Sequence, residues 1–198
     1  MYYKDDRIFT DKMHKKYAIP FIYNKLKWKE QNIDDKLNEY QDIFSAIDYE
    51  FLDEKDCKIL VQERFRKSKY SEFNDFTIRY ERPENEEVLE QKSEFYKMKR
   101  YLRTCKSEFY LVYAFEPPYF NDTLKKFVIV DLKKLFKHID DKEICILDGN
   151  ENITDKCKMK IKVQKNRDKS STFVSFDVNE LISLFDDVIK QQIGFCGE

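Results

Sequence analysis

The stretch Asp42–Phe51 has the sequence DIFSAIDYEF, and after the polar residues 53–56 the chain continues with ILVQER over Ile59–Arg64. Both runs are apolar and of strand length, and the short polar connection between them predicts an antiparallel hairpin. Asp48 lies inside the first run, and the polar triplet QER closes the second. Burial of a carboxylate in a strand is unfavourable by several kcal/mol unless a partner compensates it. Asp48 therefore indicates a site at this hairpin.

The remaining apolar segments predict a mixed central β-sheet flanked by helices, an α/β (α+β) fold. Residues 10–30 have helical spacing, with Thr10 or Asp11 as the cap and a kink or break at Pro20. Phe109–Phe115 is a continuous apolar run, which is typical of a buried central strand. The other expected elements are strands at Ile43–Leu52, Cys57–Arg66, Phe73–Tyr80, Phe127–Val130, Lys158–Val163 and Thr172–Phe176, and helices at Glu84–Arg103, Asp131–His138 and Asn179–Gln192. We expect the first three strands to form a meander.

The glycine content excludes several classes of enzyme. The chain has three glycines, Gly149, Gly194 and Gly197, all in its last quarter. Loops that cradle phosphates need glycines for positive φ angles and for close approach of the backbone. The sequence therefore predicts no nucleotide cofactor and excludes P-loop ATPases and GTPases and Rossmann oxidoreductases.

The spacing of the cysteines excludes fewer functional classes than the glycine content does. The five cysteines are widely spaced with no Cys-x-x-Cys pair, so they indicate neither a zinc site nor a disulfide framework.

Residues 1–6 contain no apolar signal region and no window approaches a membrane span, so we expect a cytoplasmic protein with no membrane partner. Lys plus Arg (37) and Asp plus Glu (38) nearly cancel, so a nucleic-acid surface requires local clustering of cations.

The polar residues of the hairpin suit metal-assisted hydrolysis of a phosphodiester. That reaction needs hard oxygen ligands on a rigid support and a cation nearby. Strand residues two apart share a face, so Gln62 and Arg64 point the same way, and Asp48 can meet Gln62 across the hairpin. Asp48 and the amide carbonyl of Gln62 would then hold Mg²⁺ or Mn²⁺, and Arg64 would stabilise the phosphate in the transition state. An ordinary ion pair between Asp48 and Arg64 is the alternative.

The segments Ala46-Ile47-Asp48 and ILVQER together resemble the motif of the PD-(D/E)xK nucleases. In that family an aspartate ends one strand, and three apolar residues, an acid, any residue and a lysine follow on the next. The helix before the motif, and the helix and buried strand after it, also look like the restriction-endonuclease-like core. The resemblance extends to about Leu132 and implies a nuclease-like core over residues 1–132 with a C-terminal β/α extension over residues 133–198.

The resemblance implies Asp48, Gln62 and Arg64 as catalytic residues and Asp48, Gln62 and Glu63 as metal ligands. Two positions depart from the family pattern. Gln62 is neutral where an acid is usual, and Arg64 is not equivalent to lysine and cannot act as a general base at neutral pH. Glu63 or Glu50 would supply the missing carboxylate if the register shifts by one residue, and Asp11 would be an outer ligand.

Basic and aromatic residues are interleaved after the hairpin. Cations that neutralise phosphates, together with tyrosines that stack on bases, are typical of nucleic-acid binding. An ordinary solvated face is the alternative, because acidic residues are equally dense nearby. The expected phosphate-binding residues are Arg66, Lys67, Arg79, Lys97 and Arg100, and the expected stacking residues are Tyr70, Tyr80, Tyr96 and Tyr101.

These observations lead to three functional hypotheses. The first is a Mg²⁺-dependent nuclease of phage, mobile-element or defence type that cleaves DNA rather than RNA. The second is an inactive nuclease-like protein that binds nucleic acid or a protein partner, and the third is an inhibitor that acts by protein contact alone. Asp11 and His14 lie one helical turn apart, which leaves a metal or proton-transfer role open, but a surface histidine is the expectation for His14. His138 is expected near the end of a short helix, where a charged histidine is favourable. Homodimerisation stays open.

Overall fold

The computed structural model describes residues 3–31, 45–81, 93–119, 122–149, 154–167 and 171–195, and of residues 3–7 only the backbone. Its strands are β1 (Lys29–Glu30), β2 (Tyr49–Leu52), β3 (Lys58–Arg66), β4 (Asp75–Glu81), β5 (Glu108–Phe115), β6 (Phe127–Asp131), β7 (Ile144–Leu147), β8 (Met159–Lys162), β9 (Gln164–Lys165), β10 (Thr172–Asp177) and β11 (Ile189–Ile193). Its helices are α1 (Tyr3–Met13), which continues as a π-helical segment (His14–Tyr23), and then α2 (Glu94–Leu102), α3 (Leu132–Asp140) and α4 (Val178–Leu184). A 3₁₀ turn lies at Ser68–Tyr70.

A six-stranded sheet in the order β1-β2-β3-β5-β6-β11 organises these elements. Only its β3–β5 pair is parallel, and the chain crosses from β3 to β5 through β4 and α2. The predicted hairpin is confirmed, because β2 and β3 pair antiparallel with Tyr49 opposite Val61. The predicted mixed α+β class, with a central sheet flanked by helices, is therefore confirmed.

Alternation along the strands gives the sheet a buried core on each face. In β5, Leu111 and Tyr113 belong to the larger core, whereas Val112 and Ala114 belong to the smaller one. Helices α2, α3 and α4 and the strand pair β4–β10 contribute to the larger core, and the π-helical segment contributes to the smaller one. Burial on both faces explains why β5 has the continuous apolar sequence from which it was predicted.

The first helix differs from the predicted residues 10–30 at both ends, because it extends from Tyr3 to Tyr23. It begins at Tyr3, so Thr10 and Asp11 lie inside it and the expected cap at these residues is wrong. Pro20 lies within the π-helical segment and does not break the helix. The hydrogen bonding changes to the π pattern at His14, ahead of the proline that lacks a backbone donor.

Two other predicted elements are wrong for reasons of tertiary pairing. The third strand of the expected meander, β4, pairs not with β3 but with β10, which lies about a hundred residues later. The predicted helix Asn179–Gln192 ends at Leu184, and the chain then forms β11, which pairs with β6. Of the predicted helix Glu84–Arg103, the structure has Glu94–Leu102, and residues 84–92 lie outside the described residues.

Strands from the C-terminal third complete both larger sheets. β10 lies between β4 and β9, and β11 forms an edge of the six-stranded sheet. The division of the chain at residue 132 stays a prediction. Within the described ranges, no helix is both long and apolar enough to cross a membrane.

Candidate functional site

Strand β3 presents polar side chains on both faces of the sheet. Leu60 belongs to the larger core, and Val61 and Phe65 belong to the smaller one. Because side chains alternate along a strand, Gln62 and Arg64 lie on the face of the larger core and Glu63 lies on the opposite face. The residues predicted as one metal and catalytic set are therefore divided between two faces of the sheet.

The sequence predicts Asp48 inside a strand, but this residue lies one position before β2. The backbone turns sharply ahead of it, since buried Ala46 has a positive φ of 56°, an unusual conformation for a residue with a Cβ atom. The amide of Asp48 donates to Val61 O at 2.9 Å, and its Oδ2 accepts from Glu63 N at 2.7 Å. Asp48 is thus fixed against the backbone of β3, beside Gln62.

Gln62 is buried, and its amide oxygen Oε1 has no hydrogen-bond partner among the described residues. Buried polar atoms in proteins are nearly always hydrogen-bonded, so such an atom needs an explanation. A carbonyl oxygen is also an accepted ligand for a hard cation. The orphaned atom lies on the residue that the sequence predicts as a metal ligand.

Arg64 is held by a carboxylate from α2. Its Nη1 donates to Glu94 Oε2 at 3.0 Å, and the same carboxylate accepts from the Arg79 amide at 3.3 Å and lies 3.4 Å from Arg79 Nη1. Two guanidinium groups thus share one carboxylate. Helix α2 positions Glu94 in its first turn, where a negative charge is favourable.

Glu63 occupies a buried polar cluster under the π-helical segment. Its side chain is completely buried, with Oε2 3.0 Å from His14 Nδ1, and it accepts from Tyr23 Oη at 2.5 Å. The ring of Tyr49 stacks on His14 with 3.7 Å between centroids, and Glu30 Oε1 lies 3.4 Å from His14 Nε2. The expectation that His14 is a surface residue is wrong, because the ring is 3% exposed.

Electrostatics keep His14 charged in this cluster. Burial opposes the imidazolium, but the hydrogen bonds and charges of Glu30 and Glu63 outweigh it and raise the pKa of His14 to about 9. Burial and the charge of Glu63 raise the pKa of Tyr23 far above its usual range, so its hydroxyl stays a donor. An imidazolium and a neutral phenol therefore compensate the buried carboxylate of Glu63.

A cavity of about 460 Å³ opens at the end of β3. Five cationic side chains contribute to its wall, and no acidic side chain of the described ranges does. Its lining residues are Phe9, Arg64, Phe65, Arg66, Lys67, Lys69, Tyr70, Thr77, Arg79, Asn166, Ser171 and Phe173. We call this cavity the cationic cleft. Arg64 belongs both to the wall of the cleft and to the face of β3 that carries Gln62.

Only part of the predicted phosphate-binding set lines this cleft. Arg66, Lys67 and Arg79 do so, whereas Lys97 and Arg100 lie on α2 and do not contribute to its wall. The predicted stacking tyrosines also divide. Tyr80 is buried, Tyr96 and Tyr101 are half-buried against the larger core, and Tyr70 is exposed and lines the cleft.

The oxygen donors at Asp48 and Gln62 fit Mg²⁺ in kind. This ion keeps several waters and often takes only one or two protein carboxylates. Among the described residues, no group of three or more His, Cys, Asp or Glu side chains is placed to hold a metal. Glu50, an alternative carboxylate, lies 2.6 Å from Lys58 Nζ, and Asp11 is exposed on α1.

Comparison with protein-family models, with curated proteins and with solved structures finds no match for this chain. The residues of the site therefore carry the functional argument alone.

The buried cluster around Glu63 is the part of the site that the sequence reasoning missed, although a signal for it exists. His14 lies next to Met13 and one turn before Tyr17, all three buried on the inner side of the helix. Glu63 continues the alternation of Ile59 and Val61 on the buried side of β3. A polar residue at a position where the periodicity predicts an apolar one needs a buried polar partner. Two such residues, His14 and Glu63, are therefore candidates to contact each other.

Proposed function

We propose that the protein is a metal-dependent nuclease, acting on DNA rather than RNA, whose cationic cleft binds the phosphate backbone. The observation that carries this proposal is the position of Arg64. It shares a face of β3 with the orphaned amide of Gln62, and it lines a cleft together with four further cationic residues. A phosphate held in the cleft would thus lie next to the predicted hydrolytic residues.

In this proposal, two residues would hold the metal ion, and the cationic residues would bind and stabilise the phosphates. Asp48 and Gln62 would hold Mg²⁺ or Mn²⁺, which supplies a Lewis acid and an activated water for attack on phosphorus. Arg64, oriented by Glu94, would bind the phosphate and stabilise the charge that develops on it. Arg66, Lys67, Lys69 and Arg79 would bind neighbouring phosphates of the same strand.

A second candidate is a nuclease-like protein that binds nucleic acid without cleaving it. Two contacts favour it. Asp48 already accepts a hydrogen bond from the backbone of Glu63, and Arg64 already pairs with Glu94. Both groups have structural partners, as they would in a protein that retains the cleft but not the chemistry.

Cleavage assays test the hydrolytic half of the proposal. Purified protein with Mg²⁺ or Mn²⁺ is expected to degrade DNA, and Asp48→Ala is expected to reduce the rate by about 100-fold or more while binding persists. Asp186→Ala, at an exposed aspartate after α4, is the matched control and should retain full activity. Intact plasmid, single-stranded DNA and RNA after incubation with folded wild-type protein would contradict hydrolysis and leave the second candidate.

Binding measurements test the cleft independently of chemistry. Lys67 and Lys69 are exposed cations of the cleft, so Lys67→Ala/Lys69→Ala should weaken nucleic-acid binding and lower the slope of log K against log salt by about 1.5. The control Lys125→Ala/Lys137→Ala removes the same charge from exposed positions outside the cleft. Equal effects of the two double variants would contradict binding in the cleft.

A further inference from the structure

Two exposed aromatic residues lie at the cationic cleft, on the connection between β3 and β4: Tyr70 lines the cleft, and Phe73 lies beside it. Tyr70 is 36% exposed and Phe73 is 46% exposed, with 6.4 Å between their ring centroids. Among the described residues, Phe73 is the only exposed phenylalanine of a phenylalanine-rich chain. We call these two rings the aromatic platform.

The aromatic platform is held in place before any ligand binds. The 3₁₀ turn is closed by Tyr70 N to Lys67 O at 3.0 Å, and Phe73 N donates to Tyr70 O at 3.2 Å. From the other side, Lys126 Nζ donates to Ser71 O at 2.9 Å and to Asn74 Oδ1 at 2.8 Å. A rigid exposed ring loses little conformational entropy when a ligand stacks on it.

Cations surround the aromatic platform on the side of the cleft. The guanidinium carbon of Arg66 lies 4.8 Å from the centroid of Tyr70 and 5.7 Å from that of Phe73. Lys69 Nζ lies 4.9 Å from the centroid of Tyr70. Asp75 pairs with Arg66 at 3.2 Å, and exposed Glu72 is the acidic residue between the two rings in sequence. Residues 66–73 thus carry three cations and one anion, and these three cations belong to the wall of the cleft.

An exposed π-face adjoining a cationic track fits unpaired nucleotides. The cations neutralise the phosphates, and the rings stack on bases of any identity, since every base has a π-face. A base in a duplex is already stacked on its neighbours and cannot use such a ring without being turned out of the helix.

We infer that the aromatic platform stacks unpaired bases, so the cleft selects single-stranded nucleic acid, or a single-stranded segment of a larger substrate, over duplex. This inference rests on the proposed binding of phosphates in the cleft. The polarity of the wall and the solvent-exposed rings make a sugar–phosphate strand with free bases the ligand of matching chemistry. Single-stranded DNA and single-stranded RNA share this chemistry.

The test is equilibrium binding of fluorescent oligodeoxyuridylate, oligouridylate and a duplex of equal length to the full chain, in metal-free buffer. Tyr70→Ala/Phe73→Ala should weaken binding of the single strands by about 5- to 100-fold, while duplex binding changes by less than about two-fold. Tyr70→Phe/Phe73→Tyr keeps both rings and should bind single strands like wild type. A larger affinity for one of the two single strands identifies the sugar that the cleft prefers.

Exposed Tyr119 supplies the matched control, because Tyr119→Ala removes a ring that is 75% exposed and outside the cleft. Unchanged affinity for single strands in the double alanine variant would overturn the inference while duplex binding and its salt dependence uphold the cleft. Equal loss for single strands and duplex would also overturn it, since base stacking cannot produce that result. Failure of the wild type to bind any of the three would overturn the inference and the proposed function together.

Discussion

Glu63 has an ionisable side chain with no solvent exposure, and two groups compensate its burial. His14 and Tyr23 contact its carboxylate, and the raised pKa of His14, about 9, keeps the imidazole charged at neutral pH. Glu63 also donates its amide to Asp48. The cluster thus couples the position of Asp48 to the packing of the first helix against the sheet.

Removal of the Glu63 carboxylate should be strongly destabilising, because the buried imidazolium of His14 would lose one of its two carboxylate partners. We expect Glu63→Ala to lower the free energy of unfolding by about 3–5 kcal/mol, measured by urea denaturation. Glu54→Ala is the control, since Glu54 pairs with Lys27 on the surface and should cost less than about 1 kcal/mol. Similar losses in the two variants would show that the buried cluster contributes no more than a surface ion pair.

At the level of single residues, the sequence predicts which side chains share a face but not what meets them. The two-residue period of β3 correctly puts Gln62 and Arg64 together. It does not predict Glu94 as the partner of Arg64, because that contact joins residues thirty positions apart through a crossover. Similarly, the burial of His14 depends on β1, β2 and β3, which sequence spacing alone does not bring to the first helix.

Helices and strands are predicted correctly where the local sequence pattern agrees with the pairing and packing of the segment in the fold. The strand Phe127–Asp131 passes directly into α3, as the sequence pattern predicts. Asp131, predicted as the first residue of the helix, is its cap and accepts from Lys134 N at 3.2 Å. The C-terminal segment shows the opposite case. Leu181, Phe185 and Val188 have helical spacing, yet the chain after Val188 pairs with β6 and forms the edge strand Ile189–Ile193. Such non-local pairing overrides local propensity.

A network of charges connects α3 to the β7–β8 pair. Glu143 accepts from Lys158 Nζ at 2.6 Å and lies 2.6 Å from His138 Nδ1, while His138 Nε2 lies 3.1 Å from Asp187. The hydrogen bonds from Lys158 and then from His138 lower the pKa of Glu143 from 4.5 to about 2. His138, expected only as a favourable charge near a helix end, thus bridges two carboxylates.

This network predicts a specific dependence of stability on pH. A carboxyl whose pKa is lowered on folding stabilises the protein fully above its ordinary pKa of 4.5, and this contribution is lost as the pH falls to about 2. Wild type should therefore have a higher melting temperature than Glu143→Gln near neutral pH, and the difference should shrink below pH 4.5. A difference that stays constant down to about pH 2 would contradict the assignment.

At the scale of the whole molecule, both larger sheets are closed by strands from the C-terminal third. β10 covers β4, where Phe176 stacks on Phe76 with 4.9 Å between centroids, and β11 covers β6. Val174, Phe176, Leu181 and Phe195 are fully buried or nearly so in the larger core. Each large apolar side chain buried in this way stabilises the fold by about 1.5–3 kcal/mol.

The expected division at residue 132 can be tested by cutting the chain there. A fragment of residues 1–132 would lack β10 and β11 and would therefore expose one edge of β4 and one edge of β6. Such free strand edges favour aggregation. We expect the full chain to unfold in one cooperative transition and the fragment to show none, by thermal denaturation followed with near-ultraviolet circular dichroism. Phe176→Ala in the full chain should cost about 3–5 kcal/mol, against less than about 1 kcal/mol for the exposed Leu184→Ala. A cooperative transition in the fragment would instead establish residues 1–132 as an independent core, and the C-terminal strands would then be an appendage to it.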